Sequence, residues 1–343
     1  MSLATLATGA AERAPLPDSL TRLGVGYLVG RARRKLAAEP AIDAAFASEM
    51  ARRPIAENTA EANAQHYEVP AAFFRHVLGP HLKYSSALYA TPHATLAEAE
   101  AAALAETCAH ADLRDGQRVL ELGCGWGSLS LWMAARYPAS TITAVSNSAS
   151  QRAHIEGEAA PRGLTNLEVV TADMNAFHTD DRFDRIVSVE MFEHMSNWRG
   201  LLARVGGWLR ADGRLFLHVF THVSRPYRFE AADGDDWIAR HFFTGGVMPS
   251  HGLIRQFGDL FEVEDEWRWS GDHYRRTARD WLVNFDANLP VIEPILRRTY
   301  GPQAALWKRR WRLFFLATAG LFGDQGGDVW GVSHYRLKAA GKP

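Results

Sequence analysis

Between Arg118 and Phe220 the chain repeats one pattern. Short apolar, β-branched runs alternate with stretches whose apolar positions recur at helical spacing. The runs predict strands at Arg118–Gly123, Thr141–Ser146, Leu167–Ala172, Arg185–Glu190 and Arg214–Phe220. The stretches between most of them predict helices at Ser128–Arg136, Ser148–Ala160 and Trp198–Leu209. Strands spaced by helices in this way give an α/β, doubly wound parallel sheet, whose ligands bind at the carboxyl ends of the strands. Upstream, residues from Met1 to about Ala60 read as a frayed start followed by helices, with helical spacing around Ala41–Met50. His66 to Tyr89 turns aromatic, with turn signals at Pro70 and Gly79-Pro80, and Leu96–His110 reads as a helix. Beyond Thr221 the alternation stops in a region rich in Trp, His, Phe and Arg. There Val263–Trp269 and Val329–Leu337 are expected as strands, and Thr277–Tyr300 and Gln303–Phe322 as helices. No internal repeat or low-complexity linker interrupts the chain. The expected layout is a helical N-terminal region over residues 1–95 and an α/β domain over 96–343, with an insertion at about 222–325.

Composition narrows the class without naming an activity. Hydrophobic residues are 47% and charged residues 22% of the 343, an ordinary soluble globular balance. A formal net charge of -1 gives no field that would favour nucleic acid or an anionic membrane. Two cysteines, Cys108 and Cys124, cannot make a disulfide framework, which suits a cytoplasmic location, and no secretion signal is visible. The apolar run Leu313–Phe322 is too short to span a bilayer and reads as a buried helix. Eleven tryptophans are many, and none precedes Trp126, which suggests an aromatic-lined cavity in the later part of the chain.

The densest signal is Arg118-Val-Leu-Glu-Leu-Gly-Cys-Gly-Trp-Gly-Ser128: a buried strand holding Glu121, then glycines at 123, 125 and 127, then a helix start. Such a turn lets backbone approach a ligand closely. A dinucleotide fingerprint needs its third glycine one position later, so NAD is the weaker reading. The E-x-G-x-G-x-G pattern resembles that of S-adenosylmethionine (SAM) methyltransferases.

The other strand ends can be read in the same way. After the second strand, Ser146-Asn-Ser-Ala-Ser-Gln151 lacks the carboxylate that many SAM enzymes use for the ribose. Asn147 and Gln151 could supply amide hydrogen bonds there, and Ser146, Asn147 or Ser148 could equally cap the helix. After the third strand, Asp173 and Met174 suit an adenine amine and ring, while a plain turn Asp is the alternative. The fourth strand runs through Val189 into Glu190-Met-Phe-Glu193-His194. One helical turn would gather Glu190, Glu193 and His194. Two carboxylates and an imidazole can hold a cationic amine and accept its proton, which matters because an ammonium has no lone pair to attack a methyl group. The bland alternative is a solvated helix start with Glu193 facing the helix dipole.

Further segments carry a family resemblance: Gln65-His-Tyr-Glu-Val-Pro70, His81-Leu-Lys-Tyr-Ser85, Leu122–Leu129, Ser146-Asn-Ser148 and Glu190–Met195. They resemble the cyclopropane-fatty-acid synthase superfamily, and within it the coclaurine N-methyltransferases. The likeness continues through Asp236–Ile238, His241–Phe243, Met248–Ser250, Arg298–Gly301 and Leu321–Gly323. It implies a Rossmann-like SAM methyltransferase sheet with a helical N-terminal cap and an α-rich substrate-binding insertion. It implies SAM as cofactor, with Tyr67, Tyr84 and Ser85 enclosing it and Gly123, Gly125 and Asn147 to Gln151 holding its methionine and ribose parts. Glu121, Ser146, Asp173, Met174 and Val189 complete the expected cofactor site. Substrate-amine contact and proton transfer fall on Glu190, Glu193 and His194. Trp237, His241, Phe242, Phe243, Tyr274 and Trp330 are expected as the aromatic wall of the substrate pocket, where cation–π attraction would favour a cationic product.

One departure concerns the lipid branch. Cyclopropane synthases that use bicarbonate as base call for cysteine in a Tyr-Ser-Cys motif, and here the motif reads Tyr84-Ser85-Ser86. Glu193, His218 and Tyr274, the other bicarbonate contacts that the resemblance implies, have counterparts. Cyclopropanation of unsaturated acyl chains is therefore weakened without being removed, and another small metabolite remains an alternative acceptor. A non-catalytic SAM-binding module fits poorly with an intact acid–histidine cluster. The expected partner is a small-molecule amine, with membrane contact only if lipid is the substrate; a homodimer is compatible with all of this. No metal is expected: His218 and His222 have H-x-x-x-H spacing, but on a strand they would stand roughly 13 Å apart.

Overall fold

The computed structural model describes residues 12, 16–38, 40, 42–57, 69–229 and 237–341. Helices α1 (Asp18–Ala38), α2 (Asp43–Met50), α3 (Ala71–Val77) and α4 (Leu96–His110) precede the sheet. A reciprocal capping box starts α4, with Thr95 accepting from the Glu98 amide and Glu98 accepting from the Thr95 amide. Such a cap contributes about 1 kcal/mol. Then come β1 (Arg118–Leu122), α5 (Ser128–Arg136), β2 (Thr141–Ser146), α6 (Ala149–Ala159), β3 (Leu167–Thr171), β4 (Phe183–Val189), α7 (Trp198–Trp208) and β5 (Leu209–His222). The later part holds β6 (Tyr227–Arg228), α8 (Trp237–His241), β7 (Val247–Met248), β8 (Phe261–Ser270), α9 (Gly271–Ala287), α10 (Leu289–Tyr300), α11 (Ala304–Phe322) and β9 (Trp330–Ala339).

The main sheet has the order β3-β2-β1-β4-β5-β9-β8. Its first five strands are parallel, and β9 pairs antiparallel with both β5 and β8. The chain leaves β1 toward β2 and β3, and then returns to place β4 on the other side. That reversal opens a crevice between the carboxyl ends of β1 and β4. Leu120, Leu122, Ile186, Val187, Leu215 and Leu217 are fully buried, as expected of strands covered on both faces.

Two elements differ from the sequence expectation. The helix expected over Thr277–Tyr300 is two, because α9 ends at Ala287, with Asn288 as its cap, and Pro290 stands in the first turn of α10. Proline has no amide to continue a helix but suits a new first turn. The fifth strand extends beyond Arg214–Phe220 at both ends, to fourteen residues: Leu209 pairs with Phe183 of β4 at its start, and β9 pairs along it as far as His222.

Candidate active site

The crevice opens into a cavity lined on one side by Glu121, Gly123, Gly125, Gln151, Val189, Glu190 and His194. Lys83, Tyr84 and Ser85 enter from the segment before α4. A largely apolar wall is formed by Phe220, Phe229, Ile238, Phe243, Met248, Tyr274, Phe314, Thr318, Leu321 and Phe322. A second, smaller recess adjoins it, sharing Gly123, Gly125, Gln151 and His194 and adding Ser146, Asn147, Asp173 and Met174.

The glycine turn needs glycine for a steric reason. Gly123, Gly125 and Gly127 have φ of 82°, 52° and 81°. A Cβ on Gly123 would lie 2.5 Å from Met191 Cβ, whereas one on Gly125 would meet nothing within 4 Å. Gly123 thus serves close packing, and Gly125 leaves open space in the cavity. Glu121 is fully buried and accepts from Ser130 Oγ at 2.5 Å; burial pushes its carboxyl up to about 7, with the Ser130 bond opposing. Helix α6 is capped by Ser148, which accepts from the Gln151 amide, and Ser146 donates to Gln151 Oε1 at 2.6 Å. Asn147 is not the cap and lines the recess. Asp173 does make a turn bond, accepting from the Asn175 amide at 2.7 Å, while facing the same recess. The cap and the turn are thus both present, and Asn147, Gln151, Asp173 and Met174 also line the recess.

Beyond β4 the expected helical turn is a short 3₁₀ turn at Phe192–His194, and Glu190 stands before it with φ of 48°. A left-handed conformation is uncommon for a non-glycine residue and concentrates at functional positions. Its surroundings hold it there. The Glu190 amide donates to His218 O at 2.8 Å. Glu190 Oε1 accepts from the Ser86 amide at 3.0 Å and lies 3.2 Å from His218 Nε2, and Oε2 accepts from Tyr274 Oη at 2.7 Å. Burial raises its carboxyl above the ordinary range, opposed by the charge of Lys83 and by the Ser86 and Tyr274 bonds.

The three expected catalytic residues are therefore not equivalent in position. Glu190 and His194 line the cavity, and the His194 ring lies 4.4 Å from that of Phe243. Glu193 is turned inward: Oε1 accepts from the Phe220 amide at 2.7 Å, and Oε2 has no hydrogen-bond partner among the described residues. Burial, then the neighbouring Glu190 charge, raises its carboxyl well above the usual value.

Of the expected aromatic wall, Phe243 and Tyr274 line the cavity. The expectation is corrected for the other four. Trp330 is fully buried on β9 and donates from Nε1 to Tyr227 Oη at 3.1 Å. Phe242 packs between Trp311 and Phe314, with centroids 5.1 and 4.5 Å away. Trp237 and His241 engage Glu12, at 2.6 and 3.1 Å. Trp237 and His241 stand four positions apart on one face of α8 and meet the same Glu12, whereas Ile238 of that helix lines the cavity. Tyr67 lies outside the described residues.

Sequence reasoning gave Lys83 no role. It is buried, donates to Ser85 Oγ and Ser86 O (2.6 Å each), and burial draws its ammonium down to about 8. Its place in the His81–Ser85 motif was the only signal. Ser86 Oγ donates to Ala87 O at 3.2 Å and does not line the cavity. His218 and His222 both lie on β5, and His222 Nδ1 accepts from the Ser224 and Arg225 amides at 3.2 and 3.0 Å. No helix among the described residues is long and apolar enough to cross a membrane.

Comparison with known proteins agrees with this architecture. Residues 55–332 match the mycolic acid cyclopropane synthetase family. The chain is 39% identical over 279 residues to the (S)-coclaurine N-methyltransferase of Thalictrum flavum subsp. glaucum, covering 80% of this chain and 77% of that one. A crystal structure of coclaurine N-methyltransferase bound to N-methylheliamine and SAH superposes with a TM-score of 0.92 at 34% identity, over 96% of this chain and 98% of that one. A cyclopropane synthase from Mycobacterium tuberculosis superposes with a TM-score of 0.69 at 25% identity, over 84% and 100%. Buried Ser128 Oγ and Trp126 Nε1 border the cavity with no partner among the described residues, and the open space at Gly125 adjoins them, which fits a polar cofactor seated on the glycine turn. The chain belongs to the mycolic acid cyclopropane synthetase family, as a SAM-dependent methyltransferase.

Proposed function

We propose that this enzyme transfers a methyl group to the nitrogen of a small aromatic or alkaloid-like amine. The observation that carries the reading is the cavity itself: an aromatic and aliphatic wall closing on the Glu190 carboxylate and the His194 imidazole. The N-methylating relatives support it. SAM supplies an electrophilic methyl on a sulfonium.

The chain's residues would then divide the work as follows. Gly123, Gly125, Glu121 and Gln151 hold the cofactor along the glycine turn, Ser146 and Asn147 face its ribose, and Asp173 and Met174 its adenine. Tyr84, Ser85 and Val189 border it from the cap and from β4. Phe243 and Tyr274 line the cavity, where aromatic rings favour a cationic nitrogen. Glu190 binds the ammonium and takes its proton, because a carboxyl that burial raises above its ordinary value is a better-matched acceptor. His194 orients the same nitrogen. Glu193 acts from behind, fixing the Phe220 amide on β5. Cyclopropanation remains secondary, since Ser86 is directed to Ala87 O rather than into the cavity.

Labelled SAM incubated with a panel of isoquinolines and phenylethylamines tests the reading, with a labelled methylamine expected. Label appearing only in membrane lipid as an added methylene would transfer the function to the lipid branch. No methylamine from any amine would reject the proposal.

A further inference from the structure

The sheet brings three histidines into one hydrogen-bonded file that starts at Glu190 and ends at the protein surface. His218 on β5 stands opposite His334 on β9 in the antiparallel register, and His334 stands opposite Trp267 on β8. His110, in the last turn of α4, stacks flat on the Trp267 ring at 3.7 Å with an interplanar angle of 6°. The contacts run in one direction. Glu190 Oε1 meets His218 Nε2 at 3.2 Å, and His218 Nδ1 meets His334 Nε2 at 2.8 Å. His334 Nδ1 meets His110 Nδ1 at 2.8 Å, and His110 Nε2 meets Glu106 Oε1 at 2.9 Å. Each ring uses both of its nitrogens, one toward the active site and one away from it. His218 and His334 are fully buried, His110 is nearly so, and the Glu106 side chain is 44% exposed.

We propose that Glu106, His110, His334 and His218 form a proton relay that discharges Glu190 to solvent while the cavity is filled. This deepens the N-methylation reading and rests on it, since that reaction frees one proton whenever the amine arrives as an ammonium. A neutral imidazole carries one N–H and one lone pair, so accepting at one nitrogen while releasing at the other moves a proton without charging the ring. The proton on Glu190 Oε1 passes to His218 Nε2. The Nδ1 proton of His218 passes to His334 Nε2, that of His334 Nδ1 to His110 Nδ1, and that of His110 Nε2 to Glu106. Glu106 then gives it to water. One proton leaves, no electrons move, and each ring ends in its other tautomer. When product has left and water reaches Glu190, one proton entering at Glu106 and leaving Glu190 into the open cavity restores the original tautomers.

The charged neighbours suit neutral rings. The Lys83 charge acts on His218 and His334, and the charges of Arg336 on β9, Asp265 on β8 and Glu106 act on His110. Glu193 and Tyr274 stand by Glu190. Burial keeps His218 and His334 well below the ordinary imidazole value, so neither holds an extra proton.

Glu106, His110 and His334 are positioning residues, and their test must separate relay from architecture. Glu106→Gln and His334→Gln retain hydrogen bonding but cannot relay. Each is expected to lower kcat, by about tenfold for His334→Gln, with KM for amine and SAM within about twofold. The loss should be reversed by added imidazole buffer and enlarged in deuterium oxide. Rates of both variants that match the parent, or a loss that buffer does not rescue, overturn the relay. Nitrogen-15 NMR of the imidazoles in the SAH-bound protein reads the relay without turnover. Glu106→Gln should shift the tautomer populations of His110, His334 and His218 together, and tautomers indifferent to it reject the proposal. Absence of any methylamine product would instead count against the N-methylation reading alone.

Discussion

The two halves of the cavity are built in different ways. The half on β1, β2 and β3 is made of strand ends and the turns directly after them, so each lining residue lies within a few positions of a local motif. The half that meets the substrate gathers Glu190 from β4, Phe220 from β5, Tyr274 from α9 and Phe314 and Phe322 from α11. Together they span more than a hundred residues of the chain. A shared cofactor calls for one local turn geometry. An acceptor pocket is assembled from side chains that only the packed insertion brings together.

Breaking one half should leave the other measurable. The largest effect is expected on the acceptor side. Glu190→Gln should lower kcat by roughly a hundredfold or more, as for loss of a general base, with SAM affinity changed only a few-fold. His194→Ala should act in the same sense but less. Isothermal titration with SAM beside single-turnover rates gives both readouts, and a parallel loss of SAM binding would merge the halves.

Next comes the cofactor side. Gly123→Ala adds a Cβ into Met191 at a backbone of positive φ, where a non-glycine residue costs about 1–2 kcal/mol. SAM affinity should fall about tenfold in a protein that still melts cooperatively. Unchanged affinity would mean that the turn does not shape the site.

The smallest effect sharpens the view of Glu121. Its folded-state value, about 7, lies above the ordinary 4.5. Its contribution to stability is thus fully present below the unfolded value and is lost as pH rises through the folded one, by about 1.4 kcal/mol per unit of separation. Glu121→Gln should raise the melting temperature of the SAM-free protein by roughly 2–4 °C at pH 8, with the gap closing toward pH 5. A pH-independent gap would show that the carboxyl does not titrate there.

Much of the fold was legible because strand and helix periods are local. The ends expected for Leu96–His110, Thr141–Ser146 and Ser128–Arg136 match the observed elements. The aromatic wall was not legible in the same way. Phe242 and Phe243 are adjacent in sequence, yet one is core and the other faces the cavity, which composition cannot distinguish. The positive φ of Glu190 also escaped, since the run after it reads as a helical turn.

The sequence by itself determined the parallel sheet, the glycine turn and the acid–histidine cluster, because each is written in residues a few positions apart. Tertiary structure decided that Glu193 turns inward while Glu190 and His194 face the cavity. It also decided that His218, His334 and His110 stand in line. The second outcome depends on the register between β5, β9 and β8 and on where α4 ends against them. Those are contacts between distant segments, fixed by the burial of the whole sheet, and no local pattern encodes them.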